Sequence, residues 1–221
     1  MRTVRVLRWV LAALLAALAI AVLVAILDGG GDATTATTVP GCEAVSAPEA
    51  RDVSLPAPKQ TVKRGEPLTA DVETSCGSFE IALDSKRSPK TVNSFVYLAR
   101  EGFYDGLDFY KVVSGFAIYG GDPLGDGSGG PGYSVVEPPP AKAKYSKGKV
   151  AMAREPGRPA GYSGSRFFIA TSVETGLPAD FALLGKVTEG YGTVARINEL
   201  ATPEQEAAQP VLIEKIGIRK G

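Results

Sequence analysis

The chain has 221 residues, 44% of them hydrophobic, with 24 basic and 24 acidic side chains, two cysteines and no histidine. This suffices for one domain with a full core plus additional segments. It excludes histidine-based acid–base or metal chemistry, and the even charge balance leaves no basic footprint for nucleic acid.

Arg2, Arg5 and Arg8 precede an uncharged run of 19 residues from Trp9 to Leu27. At about 1.5 Å rise per residue that run spans most of a bilayer core of about 30 Å, and the arginines hold their flank in the cytoplasm. The expected layout is a cytoplasmic N-terminus at 1–8 and a transmembrane signal-anchor at 9–27. The rest is then extracytoplasmic on a single-pass protein of the cell membrane. A cleaved signal peptide is the alternative, although no A-x-A site follows Leu27. From Asp28 onward there are 21 basic and 24 acidic residues, a net of −3. Residues 28–67 read as a flexible and then Pro-rich linker: GGGDATTATT first, then four prolines between Gly41 and Pro67. Cys42 and Cys76 both fall on the exported side. Such a pair reads as a disulfide, with two buried free thiols as the alternative.

The domain is expected at 68–221. Thr69, Asp71 and Glu73 alternate with Ala70, Val72 and Thr74 in a strand that turns at Ser75-Cys76-Gly77. Phe79, Ile81 and Leu83 form the return strand. Ser88-Pro89 signals a helix start, Val92, Phe95, Val96 and Ala99 recur at helical spacing, and Gly102 ends it. Short strands are expected at 107–112 and 116–119. A loop with six glycines from Gly120 to Gly130 follows and can be neither helix nor ladder strand. Further strands are expected at 148–153, 164–169, 183–187 and 211–218, with a short amphipathic helix at 193–200.

The stretch Phe103 to Tyr133, FYDGLDFYKVVSGFAIYGGDPLGDGSGGPGY, resembles the central signature of the cyclophilins, the cyclosporin-type peptidyl-prolyl cis-trans isomerases. SPKTVNSFVYLAREGFYDG resembles their first helix and its exit. Gly148 to Ala153, Gly164 to Ile169 and Leu183 to Val187 resemble their GxxxMA, GSQFFI and FGKV motifs, in family order. The resemblance implies a mainly β fold, a closed eight-stranded barrel with two helices, here preceded by a transmembrane helix. It implies an isomerase of X-Pro bonds in exported proteins, needing no cofactor and no metal. Its partners would be proline-containing polypeptides and the membrane, and the protein is expected to be a monomer.

Rotation about an X-Pro amide needs an apolar slot for the pyrrolidine ring, a donor at the prolyl amide and little water. By motif matching, Lys111, Phe116 and Phe168 take the catalytic positions. Phe109, Tyr119, Ala153, Arg166, Leu177 and Phe181 take substrate-binding positions. Lys111 stands where the family usually has arginine. Lysine keeps a cation but loses the planar five-donor fork, so weak but real activity is expected. Tyr119 and Arg166 replace glutamines, and Gly176 and Phe181 stand where tryptophan and histidine are usual. A binding module for proline segments without useful turnover, or a chaperone of the cell envelope, is the rival reading. Two other patterns carry nothing: Gly125 to Gly130 satisfies G-x-G-x-x-G but runs into Pro131-Gly132 instead of a helix. Asp122 to Tyr133 lacks the terminal Glu of a calcium loop.

Overall fold

The computed structural model describes residues 40–221, so the expected anchor at 9–27 and the first part of the linker lie outside the described residues. Among the described residues, no helix is long and apolar enough to cross a membrane. The elements in chain order are β1 (Leu68–Thr74), β2 (Gly77–Leu83), α1 (Pro89–Arg100), β3 (Lys111–Val113) and β4 (Ala117–Gly120). There follow β5 (Val135–Val136), β6 (Lys149–Met152), β7 (Tyr162–Ser163), β8 (Phe167–Ala170), β9 (Leu183–Glu189), α2 (Tyr191–Glu199) and β10 (Ile213–Lys220). Eight strands form one curled antiparallel sheet in the order β10-β1-β2-β9-β6-β8-β4-β3, and β5 pairs with β7 in a small separate ribbon. The sequence signals missed that ribbon, because two-residue strands carry no period.

Helix α1 begins where the Ser88-Pro89 signal places it, but the Ser88 hydroxyl makes no capping bond. The Glu137 carboxylate takes that role from 46 residues away, accepting the Thr91 N–H at 2.8 Å and the Lys90 N–H at 3.3 Å. A carboxylate there satisfies orphan donors and complements the helix dipole. The apolar stripe of α1 (Val92, Phe95, Val96, Ala99) packs into the interior with Val72, Phe79 and Ile81. Cys42 and Cys76 are joined, closing the alternative of free thiols. Residues 40–67, the part of the expected flexible and Pro-rich linker that the structure describes, lie against the domain, as the bonds of Glu43, Arg51, Leu55 and Thr61 to it attest.

The expectation of a closed barrel is corrected. β10 and β3 are the two ends of the sheet and share no ladder. The seam is crossed instead by irregular bonds between the chain just before β3 and the chain around the start of β10. Gly106 N–H donates to Ile213 O at 2.8 Å, Ile213 N–H to Leu107 O at 2.7 Å and Phe109 N–H to Val211 O at 3.0 Å, around a single bridge between Asp108 and Leu212. Pro210 precedes this run and has no N–H, so the pairing cannot extend further. This also explains why β3 starts at Lys111 and not at Leu107: residues 106–109 are committed to the seam.

Asp108 has a carboxyl oxygen buried at this seam without a partner. Burial, with the Asp122 charge adding to it, pushes its pKa above the usual carboxylate range. A raised folded-state pKa means that ionisation opposes folding at neutral pH, and that the penalty disappears once both states are protonated. Asp108→Asn is therefore expected to raise Tm by about 2–4 °C at pH 7 for each kcal/mol relieved, and by nothing near pH 3. Equal melting of the two proteins at pH 7 would show that the ionised group costs nothing.

Candidate active site

The site follows from strand register. Lys111 pairs with Tyr119, Tyr119 with Phe168, Phe168 with Ala151 and Ala151 with Leu183. Directly paired residues share a face of the sheet. These five side chains therefore form one row across β3, β4, β8, β6 and β9 on the outer surface. Their chain neighbours Val112, Ile118, Phe167, Val150 and Leu184 take the opposite face and belong to the interior core.

The outer row divides into an apolar half and a polar half. On the apolar side Ala117, Tyr145, Ala151, Phe168 and Leu183 form a buried cluster, with Phe116, Tyr119, Leu177 and Phe181 packed on it. On the polar side opens a cavity of about 610 Å³ whose lining includes Tyr110, Lys111, Tyr119, Ala153, Arg154 and Arg166. Tyr119 belongs to both halves and stands between them.

Phe168 is only 1% exposed. Tyr119 covers it at 5.6 Å between ring centroids, Phe181 at 5.5 Å and Tyr145 at 5.8 Å. The Tyr145 hydroxyl donates to Phe181 O at 2.6 Å and accepts the Phe181 N–H at 3.0 Å, which fixes that side of the cover. The Lys111 ammonium lies 5.7 Å from the Tyr119 ring centroid. Among the described residues, Lys111 has no carboxylate partner within 4.0 Å. Arg166 is held by Glu155 at 3.4 Å and Arg154 by Asp180 at 3.3 Å. Burial pushes the Tyr110 and Tyr119 hydroxyls up, with Arg166 opposing it at Tyr110, so both remain neutral donors.

The glycine loop forms one wall. Gly121 adopts φ +83°, and a Cβ there would come within 2.6 Å of Ser165 O, so this position requires glycine. The Ser165 hydroxyl donates to Gly121 O at 2.7 Å, tying the loop entrance to the chain before β8. Asp122, itself buried, accepts the N–H groups of Leu124 and Gly127 and organises the loop from inside.

Of the residues expected in the site, Lys111, Tyr119, Ala153 and Arg166 line the cavity, and Phe116, Phe168, Leu177 and Phe181 share the apolar cluster. Phe109 is corrected: it is 2% exposed, packs in the interior 6.4 Å from Phe167, and is not among the residues lining the cavity. The alternation that would place it beside Lys111 breaks at Tyr110, because residues 106–109 serve the seam. Tyr110, Arg154, Tyr145 and Glu155 were not anticipated. Arg154 could have been found, since it directly follows the groove strand at Met152-Ala153. Tyr145 and Glu155 sit in irregular segments that carry no periodic signal.

A cation and phenolic donors thus lie beside an aromatic patch on the outer face of a curled β-sheet. Comparison with known proteins identifies the family of the chain. The cyclophilin type peptidyl-prolyl cis-trans isomerase/CLD family matches residues 69–218. The chain is 38% identical over 124 residues to a peptidyl-prolyl cis-trans isomerase of Helicobacter pylori, covering 56% of this chain and 74% of that protein. It is 34% identical over 168 residues to peptidyl-prolyl cis-trans isomerase A of Mycobacterium tuberculosis, covering 68% and 91%. The crystal structure of a Cryptosporidium parvum cyclophilin type isomerase superposes with a TM-score of 0.64 at 27% identity, covering 70% of this chain and 99% of that one. The same protein, solved in the presence of the dipeptide Ala-Pro, gives 0.63 at 28% identity, covering 69% and 99%. This chain belongs to the cyclophilin-type peptidyl-prolyl cis-trans isomerase family.

Proposed function

We propose that this cyclophilin-type isomerase rotates X-Pro bonds of polypeptides outside the cytoplasm and so assists their folding. The observation that carries this reading is the outer row, which sets the Lys111 ammonium and the Phe168 cluster on either side of Tyr119. The pyrrolidine ring docks on Phe116, Phe168 and Leu177, with Phe181 at its edge. Ala153 and Arg166 flank the peptide backbone. Lys111 donates to the prolyl amide as resonance is lost, against an uncatalysed barrier of about 18–20 kcal/mol. No bond is made to the enzyme and no proton is transferred through a base. Accelerated cis–trans relaxation of an Ala-Pro peptide tests the reaction; a rate equal to buffer would leave only peptide binding.

Tyr119 sets the access. Because it covers Phe168, a proline ring reaching that floor must first displace it, and an aromatic contact of this kind holds about 0.5–1.5 kcal/mol beyond its buried area. Tyr119→Gln is expected to raise kcat/KM about threefold to tenfold. Unchanged kcat/KM would mean that the ring of the substrate sits elsewhere.

The arginine-flanked run at 9–27 supports a membrane anchor with the isomerase domain outside, acting as a monomer, and the Cys42–Cys76 bridge suits that oxidising side. Protease added to intact cells should then digest the domain. A soluble mature form starting after residue 27 would replace the anchor with a cleaved signal.

A further inference from the structure

We propose that residues 40–67 act as a positioning arm for the peptide groove, working through the glycine loop, with Arg51 as the central positioning residue. The proposal rests on reading the groove as the peptide site. The arm lies outside residues 69–218, the part that the family match covers.

The arm touches the loop at both hinges. Arg51 N–H donates to Pro123 O at 2.7 Å, and Leu55 N–H donates to Pro131 O at 2.8 Å. Pro123 and Pro131 bracket the segment whose middle, Gly125 to Gly127, walls the large cavity. Its remainder, Ser128 to Pro131, walls a smaller one of about 270 Å³. Arm and loop meet without spare room: a Cβ on Gly132 would come within 2.9 Å of the Ser54 Cα.

The arm is itself anchored at several points. The Arg51 guanidinium donates to Phe103 O at 3.1 Å and Asp105 O at 3.2 Å, beyond the end of α1. Val53 and Leu55 pack on the core, alternating with exposed Asp52 and Ser54 as an extended chain requires. The Cys42–Cys76 bridge fixes one end to the β1–β2 turn. At the other end the Asn93 side-chain oxygen accepts the N–H groups of Thr61 at 2.7 Å and Val62 at 3.0 Å. A loop with so many glycines has high freedom of its own. Asp122 restrains it from inside, and the arm restrains its hinges from outside.

Holding a binding wall in its bound shape acts on substrate affinity. The full-length native protein is compared with Arg51→Ala, Arg51→Lys and the double variant Cys42→Ala with Cys76→Ala. In Arg51→Ala and the cysteine variant, KM for an Ala-Pro peptide is expected to rise about threefold to tenfold with kcat within about twofold. Arg51→Lys should recover part of the loss, since one ammonium can reach one of the two carbonyls. Amide hydrogen exchange at Gly127 and Ser128 should quicken in the same order while β6 and β8 stay protected. Native KM and native loop exchange in both Arg51→Ala and the cysteine variant would overturn the proposal. A fall in kcat at native KM would overturn it too, because the arm does not reach the reacting atoms. Exchange does not depend on turnover, so an inactive native protein would count against the isomerase reading and leave the arm to be decided by exchange alone.

Discussion

Lys111→Ala is expected to lower kcat/KM for a proline peptide by about tenfold to over a hundredfold while the sheet stays folded. Lys111 opens the short end strand β3 and is half-buried, so its truncation removes no core contact. Its side chain lines the cavity, with the ammonium 5.7 Å from the Tyr119 ring centroid and, among the described residues, no carboxylate within 4.0 Å to hold it away from substrate. A charge-assisted hydrogen bond made as the prolyl amide loses resonance is worth roughly 1.5–3 kcal/mol, which converts to that range of rates. Lys111→Arg should raise kcat/KM, because a guanidinium can contact two atoms in fixed geometry. Arg166 lines the same cavity but is drawn toward Glu155, so Arg166→Gln should cost less than Lys111→Ala. Equal rates for Lys111→Ala and the native protein would remove Lys111 from the mechanism, and a larger loss in Arg166→Gln would transfer its role there.

Removing the disulfide is expected to lower the stability of the domain by several kcal/mol. The bridge spans a sequence separation of 34 residues. Closing a loop of that length restricts the unfolded chain by about 4 kcal/mol in the entropic account. For a domain of this size that corresponds to a fall in Tm of about 8–16 °C. Thermal melts of the native protein and the double variant Cys42→Ala with Cys76→Ala, both in non-reducing buffer, measure it. A fall below about 3 °C would show that the arm's hydrogen bonds, and not the covalent link, hold that end in place.

The strands and the outer row were legible because their residues stand in compact motifs whose spacing survives as register. Phe116, Tyr119 and Phe168 are assignable to one site through their places in the family-like motifs; strand parity could not do it, since Phe116 and Tyr119 stand three residues apart and Phe116 precedes β4. Phe109 could not be placed, because its orientation depends on a seam made with residues a hundred positions later. The Glu137 cap on α1 and the folding-back of the arm onto the glycine loop are long-range in the same way, and nothing in the local composition announces them. The cover over Phe168 was hidden for another reason. Each of Tyr119, Tyr145 and Phe181 is an ordinary aromatic in its own segment, and only tertiary packing stacks them together.

The row from Lys111 to Leu183 also limits how this surface can change over time. Groove and core are the two sides of the same five strands, so an odd-length insertion within β4 or β8 would exchange them, sending Ile118 or Ile169 to solvent and Tyr119 or Phe168 inward. Length variation there is admissible only in steps of two. Substitution at Lys111 and Tyr119 carries far less penalty than at Ala151, Phe168 and Leu183, which are buried in a cluster of their own. The surface can therefore drift in chemistry, as glutamine-to-tyrosine and arginine-to-lysine replacements illustrate, while its lattice of positions stays fixed.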